Sequence, residues 1–414
     1  MPRESRGATK ATGEAGRKGD DVRSDLHVAV EVGSSGALEI EIASKVAAFY
    51  GRSIRQLAER VAQQFGMAHG RLKIDDKGAL PFVIAARIEA ALTRAGLSGE
   101  ARPECSVTHP TRSARDRLRR SRLYLPGNEP KFMINAGLHQ PDAIILDLED
   151  SVHPAEKAAA RILVRNALRC IDFKGAERMV RINQLPLGYE DLEQVVPELP
   201  DVILIPKVES ADQVRAVEER IRQILERTNI EGPIWLMPIL ESALGIEHAF
   251  DIATATVTVA AIMIGLEDYT ADLGVVKTTE GAESLFARTR LVNAARAAGV
   301  QANDSVFGDI GDLTALEAWA IKSRALGFEG MGCLHPRQIP VVNKAYAPSQ
   351  HELDRAMKIV AAFEAAEAKG LGVVSLGTRM IDPPVVLRAQ RIVNLARQTG
   401  MIPTDEDMSS GEGP

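Results

Sequence analysis

The chain has 414 residues, a formal net charge of −6, 26% charged residues and 45% hydrophobic residues. At roughly 100–200 residues per domain this length holds two domains, or one barrel with an attachment, and enough apolar sequence to bury a sizeable core. The acidic balance argues against a nucleic-acid partner, and no apolar run nears the roughly 18 residues of a membrane span.

The opening twenty residues, MPRESRGATKATGEAGRKGD, have no apolar signal region. The expectation is therefore a cytoplasmic enzyme with no membrane segment. Residues 1–21 are polar and glycine-rich, which predicts a disordered tail. A small α/β unit follows over residues 22–97. LHVAVEV and GALEIEIAS alternate as strands do, and RSIRQLAERVAQQFG reads as an amphipathic helix ended by Gly66. GRLKIDDKGAL supplies a strand and turn. PFVIAARIEAALTRAG is a helix with Pro81 at its start and Gly96 at its end, the usual asymmetry. Residues 98–121 form a linker with the basic stretch TRSARDRLRRSR, read as a solvated connector or short helix rather than an anion-binding patch. The three cysteines, Cys105, Cys170 and Cys333, are far apart and form no CxxC pair. Neither a disulfide framework nor a zinc site is expected, and a reducing compartment fits.

From Arg122 strands and helices alternate. The strand-like runs are RLYLP, AIILDLED, RMVRIN, DVILIPK, IWLMPILE, AAIMIGLED, VQANDSVF and GMGCLHP, with helical runs between them. Eight such units predict a TIM (β/α)8 barrel over residues 122–346, with a doubly wound open sheet as the alternative. Residues 347–402 add two helical segments beyond what eight units need. Their connector, LGVVSLGTRMID, must have another task.

In a barrel the carboxyl ends of the strands face the active site. Those positions hold Asp147, Glu149 and Asp150; Arg181 and Asn183; Lys207 and Glu209; Glu241; Glu267 and Asp268; and His335 and Arg337. Glu241 and Asp268 lie one βα unit apart with no neighbouring Cys or His. They read either as ligands of a hard cation such as Mg2+ or as caps and ion-pair partners. Arg181 is open to two roles, a clamp on a substrate carboxylate or a structural pair with the DLED acids. His335, before Pro336, reads as a residue that fixes a loop, with catalysis as the alternative. No GxSxG, GxGxxG or Walker pattern occurs.

Taken in order, RSRLYLPGNEPKF, DAIILDLEDSVHPAEKAAAR, VRINQLPLGYEDL, ILIPKVESA, PILESALGIEHAFDIA, GLEDYTADLG and GVVSLGTRMIDPP resemble the citrate lyase β-subunit family, which includes malyl-CoA, citramalyl-CoA and citryl-thioester lyases. EGAESLFARTRLVNAARAAGVQA is more similar to the citrate lyase β subunit itself. The segment with GALEIEI, IDDKGAL and AARIEAALTRAG resembles the acyl carrier (γ) subunit of citrate lyase.

The resemblance implies a Mg2+-dependent lyase that splits a 3-hydroxy-acyl thioester into an acyl thioester and a 2-keto acid. It implies Glu241 and Asp268 as metal ligands, Arg181 as the substrate-carboxylate arginine, and Asp382 in RMID as a catalytic carboxylate delivered to a neighbouring subunit. Lys207 and Glu241 join Arg181 as candidate substrate-binding residues. A homo-oligomer is implied, a trimer being favoured, and other citrate-lyase-type subunits are possible partners. The thioester rides either on CoA or on a phosphoribosyl-dephospho-CoA arm. In such carriers the arm's serine stands two residues before the Asp that opens a strand; here Asp25 opens LHVAVEV, that slot holds Arg23, and Ser24 is one residue late. A thioester hydrolase on the same barrel and a non-catalytic assembly subunit are the competing readings.

Overall fold

The structure is a computed structural model and describes residues 11–105, 107, 113–368, 374–376 and 379–403. A four-stranded sheet opens the chain: β1 (Thr12–Gly16), β2 (Leu26–Val32), β3 (Leu38–Ser44) and β4 (Gly70–Asp76), in the order β1-β2-β4-β3. β1 lies antiparallel to β2, β2 antiparallel to β4, and β3 parallel to β4. The expectation of a disordered tail over 1–21 is corrected at β1. TGEAG has almost no apolar surface, so its order comes from backbone hydrogen bonds to β2 rather than from a hydrophobic pattern.

Helix α1 (Ala47–Gln64) buries one stripe, Ile54, Leu57, Ala58, Val61 and Ala62, as its period requires. Helix α2 (Pro81–Arg94) is different: every residue from Phe82 to Leu92 is buried, including Arg87 and Glu89. A helix without a polar face must be covered all round. Here the sheet and α1 cover one side and the helix Lys157–Cys170 covers the other.

Two ion pairs stand in that contact. The Arg87 guanidinium donates to both Asp25 oxygens at 2.9 and 2.8 Å and to the Asn128 carbonyl at 2.9 Å. Arg165, from the helix Lys157–Cys170, donates to both Glu89 oxygens at 2.9 and 2.8 Å. The linker is not solvated throughout. Arg119 is fully buried, its guanidinium held by Glu177 at 2.7 Å and Gln301 at 2.7 Å, and Arg120 pairs with Asp142 at 2.8 Å. Cys105 and Cys170 form a disulfide with Cα atoms 5.2 Å apart, which corrects the expectation of unpaired cysteines. The pairing joins the linker to a barrel helix, a proximity that spacing in the sequence does not express.

The eight expected strands form a closed parallel barrel: β5 (Ser121–Pro126), β6 (Ala143–Asp147), β7 (Glu177–Arg181), β8 (Val202–Ile205), β9 (Trp235–Leu240), β10 (Ala261–Ile264), β11 (Gln301–Asp304) and β12 (Gly330–Cys333), with β12 pairing β5. Alternation divides the strands β6 to β10 between two cores. Ala143, Ile145, Met179, Val202, Leu204, Met237, Ile239, Ala261 and Met263 pack together inside the barrel, whereas Ile144, Leu146, Val180 and Ile203 face the helices. Beyond the barrel, the helices Gln350–Glu367 and Pro383–Gln398 pack Leu353, Ala356 and Ile359 against Val386, Ala389 and Val393. Among the described residues no helix is long and apolar enough to cross a membrane.

Removing one partner of a buried ion pair strands the other in a dry contact. Arg165→Ala should cost about 3–5 kcal/mol of stability in denaturant unfolding, whereas Arg222→Ala, on the exposed face of its helix, should leave the unfolding midpoint unchanged. Equal behaviour of the two variants would contradict the packing described.

Candidate functional site

Parallel strands in a closed barrel deliver their carboxyl ends to one rim. β6 brings Asp147 and, just beyond it, Glu149 and Asp150. β7 ends on Arg181, Lys207 follows β8, Glu241 follows β9, and Asp268 sits in the first turn of the helix Leu266–Asp272 after β10. Tyr124, Asp150, Arg181, Glu241, Gly265 and Asp268 share a cavity of about 180 Å3 at this mouth.

Arg181 is fixed on three sides. Its Nε and Nη2 donate to the Asp147 carboxylate at 2.6 and 2.8 Å, and its Nη1 lies 2.8 Å from Glu149. The guanidinium stands 5.3 Å from the centre of the Tyr124 ring, a cation over an aromatic face. Arg181 pairs with the DLED acids and presents its charge to the cavity from a locked position. Lys207 sits among acids, its Nζ 3.4 Å from Glu149, 3.5 Å from Asp268 and 3.8 Å from Asp150. Its backbone occupies the left-handed region at φ 51°, which turns its N–H onto Glu241 Oε1 at 2.7 Å.

Five carboxylates thus face two cations. Burial opposes ionisation of Asp147, but the hydrogen bonds and charge of Arg181 prevail and hold it below the usual carboxylate range. Glu149 goes the other way: burial raises it, and Arg181 does not fully compensate. Glu241, 5% exposed, is pushed up to about 8, first by burial and then by the negative charges of Glu149 and Asp268. Burial would lower Lys207, but Glu149, Asp150 and Asp268 hold it above its ordinary value. Burial also lifts Tyr124 to about 12, so its phenol stays neutral. The mouth is short of positive charge.

That shortage is what a divalent cation would relieve. Among the described residues no group of three or more His, Cys, Asp or Glu side chains forms a metal cage. Two carboxylates, Glu241 and Asp268, on adjacent strand ends make an open oxygen donor set. Mg2+ suits such a set, since it keeps several waters and takes one or two carboxylates together with substrate oxygens. Gly265, between the two, leaves the space that the Glu241 carboxylate fills. A β-carbon there would stand 2.8 Å from the Glu241 Cβ and collide with Oε2.

The structure brings Glu241, Asp268, Arg181 and Lys207 together. It does not bring Asp382 to them. Asp382 is exposed and caps its own helix by accepting from the Val385 N–H at 3.3 Å. Further along that helix Arg391, Asn394 and Gln398 share a cavity of about 350 Å3 with Arg119, Gln301 and Glu329, at the amino-terminal ends of the strands, opposite the mouth. Ser24 lies in the loop before β2 of the carrier-like domain, half-buried, at φ 56°, with its N–H on the Lys77 carbonyl at 3.3 Å. His335 accepts from the Arg337 N–H at 3.1 Å, the loop-fixing role. Sequence reasoning missed Tyr124 and Gly265. The motifs LYLPG and GLED contain both, but their tasks depend on which neighbours the barrel closure supplies.

The family model of the HpcH/HpaI aldolase/citrate lyase proteins matches residues 120–336, and an acyl-carrier model, the malonate decarboxylase delta subunit, matches residues 18–95. Citrate lyase subunit beta of Leuconostoc mesenteroides subsp. cremoris is 40% identical over 293 residues, covering 70% of this chain and 97% of its own. The mitochondrial citramalyl-CoA lyase of Homo sapiens is 32% identical over 290 residues, covering 67% of this chain and 85% of its own. A crystal structure of CitE from Mycobacterium tuberculosis, in complex with magnesium, acetoacetate and coenzyme A, superposes with a TM-score of 0.57 at 31% identity, covering 68% of this chain and 99% of that one. With its closed parallel barrel and acid-lined mouth, the chain belongs to the HpcH/HpaI aldolase/citrate lyase family and carries an acyl-carrier-like domain in front of the barrel.

Proposed function

We propose that the protein is a Mg2+-dependent carbon–carbon lyase that cleaves a 3-hydroxy-acyl thioester of the citryl, citramalyl or malyl type into an acyl thioester and a 2-keto acid. The observation that carries this reading is the surplus of acid at the barrel mouth, five carboxylates against Arg181 and Lys207, with Glu241 buried among them. The named relatives and the magnesium-bound CitE structure support the same reading.

Cleavage between the carbinol carbon and the thioester α-carbon asks three things of a site. The carbinol proton must leave, negative charge must be tolerated as the bond breaks, and the departing carbon must receive a proton. When bound at Glu241 and Asp268, Mg2+ supplies Lewis-acid polarisation of the substrate's oxygens. Arg181, locked by Asp147 and Glu149, offers preorganised positive charge beside the cavity at no cost of reorganisation. Lys207 adds a second cation, and its N–H holds Glu241 in place. Tyr124 and Met263 line the cavity beside these charges.

Asp382 is the proton donor to the departing carbon, brought from a neighbouring subunit. Two features support this. Its helix shares surface with its own barrel at the end away from the mouth, and the barrel exposes a run of large apolar side chains near the rim. Leu244, Leu273, Leu285 and Phe286 are among them, with Val276 82% exposed. Large apolar side chains left exposed at one end of a barrel are suited to a contact with another chain.

Glu241→Gln should abolish both calorimetric Mg2+ binding and keto-acid release, and Gly265→Ala should weaken both by displacing the Glu241 carboxylate. Normal Mg2+ activation of either variant would remove Glu241 from the metal site. Asp382→Ala should lower kcat by ~10²–10⁴ while thioester binding stays near wild type. Mixed oligomers of Asp382→Ala and Glu241→Gln chains should regain turnover that neither variant shows. Absence of that recovery would contradict donation between subunits.

A further inference from the structure

A carrier domain ferries its acyl group by moving between sites. The contacts of this one hold the domain itself in place. α2 has no solvent face from Phe82 to Leu92, and the helix Lys157–Cys170 of the barrel covers one whole side of it. Undocking the domain would hand that apolar surface to water. It would also separate Glu89 from Arg165, Arg87 from the Asn128 carbonyl, and the Asn166 side chain from the Phe82 carbonyl at 3.2 Å.

The loop where an arm would be carried is equally tied. Residues 16–25, GRKGDDVRSD, contain a single hydroxyl, that of Ser24. Ser24 is pinned by its N–H bond to Lys77, and the next residue, Asp25, is held in a buried pair by Arg87. At the other end of the loop Arg17 pairs with Glu129, in the barrel loop that follows β5. Arg94, at the end of α2, donates to the Ala155 carbonyl at 2.9 Å, in the segment between β6 and its helix. Both anchoring points follow the carboxyl ends of strands, so the domain is fastened on the side of the barrel that carries the mouth.

We propose that the N-terminal domain is a fixed wall of the lyase rather than a mobile carrier, and that the thioester cleaved at the mouth is a free CoA ester. The inference rests on the lyase reading above and narrows its substrate class. A domain that cannot leave its seat cannot ferry an acyl group between separate sites, so the acyl group must arrive on CoA itself.

The test uses the full chain purified from the cells that encode it. It is weighed intact, assayed with citryl-CoA, citramalyl-CoA and malyl-CoA in the presence of Mg2+, and followed by amide hydrogen exchange. The expected results are the mass of the bare chain, keto-acid release from at least one free CoA ester, and α2 amides exchanging no faster than those of β6. An added mass on Ser24, release only from a thioester borne on a carrier protein, or fast exchange of α2 as a separate unit would overturn the inference and leave the lyase reading standing. No keto acid from either form of thioester would overturn the lyase reading and this inference with it.

Discussion

Negative charge crowded onto one rim is the constraint from which the mouth of this barrel follows. Asp147, Glu149, Asp150, Glu241 and Asp268 converge because parallel strands have no other place to send their carboxyl ends. Two cations meet them. Arg181 is spent on Asp147 and Glu149, and Lys207 is divided among Glu149, Asp150 and Asp268. What remains uncompensated collects on Glu241, whose carboxyl burial and neighbouring charges push up to about 8. A buried acid in that condition either keeps its proton or takes up a cation. The second course joins this electrostatic picture to the chemistry of the family.

The scaffold around the mouth is built to keep that charge in register. Asp147 and Arg181 are the last residues of adjacent strands, so their bidentate pair ties β6 to β7 at the rim. Lys207 reaches Glu241 through its backbone as well as through its charge, because its left-handed conformation aims the N–H across to the next strand end. Gly265 completes the seat by having no side chain where the Glu241 carboxylate lies. Each device fixes a charged group by covalent geometry or by a second charge, which keeps the site organised before any ligand enters.

Much of this was legible in the sequence, and the limits have physical reasons. The eight barrel strands are short apolar runs between helical segments, a pattern set by burial on both faces, and all eight appear. The acids and bases at strand ends were readable because the fold class fixes which end of a strand carries chemistry. Arg181 was readable as a candidate, but its bidentate pairing with Asp147 was not, since that depends on the separation of β6 and β7. β1 escaped because TGEAG is ordered by main-chain pairing with a strand that follows it. The Cys105–Cys170 disulfide escaped because only tertiary packing brings the linker to the helix Lys157–Cys170. The burial of Arg119 escaped for the same reason: a basic stretch looks solvated until Glu177 and Gln301 are known to face it. Asp382 is the reverse case, named through the resemblance and placed by its own chain away from the mouth.

Anomalous diffraction from crystals soaked in Mn2+ in place of Mg2+ tests the central claim most directly, since it locates the ion without reference to activity. One strong peak is expected at the barrel mouth, within bonding distance of carboxylate oxygens of both Glu241 and Asp268. A peak elsewhere on the chain, or a mouth that stays empty at saturating Mn2+, would contradict it.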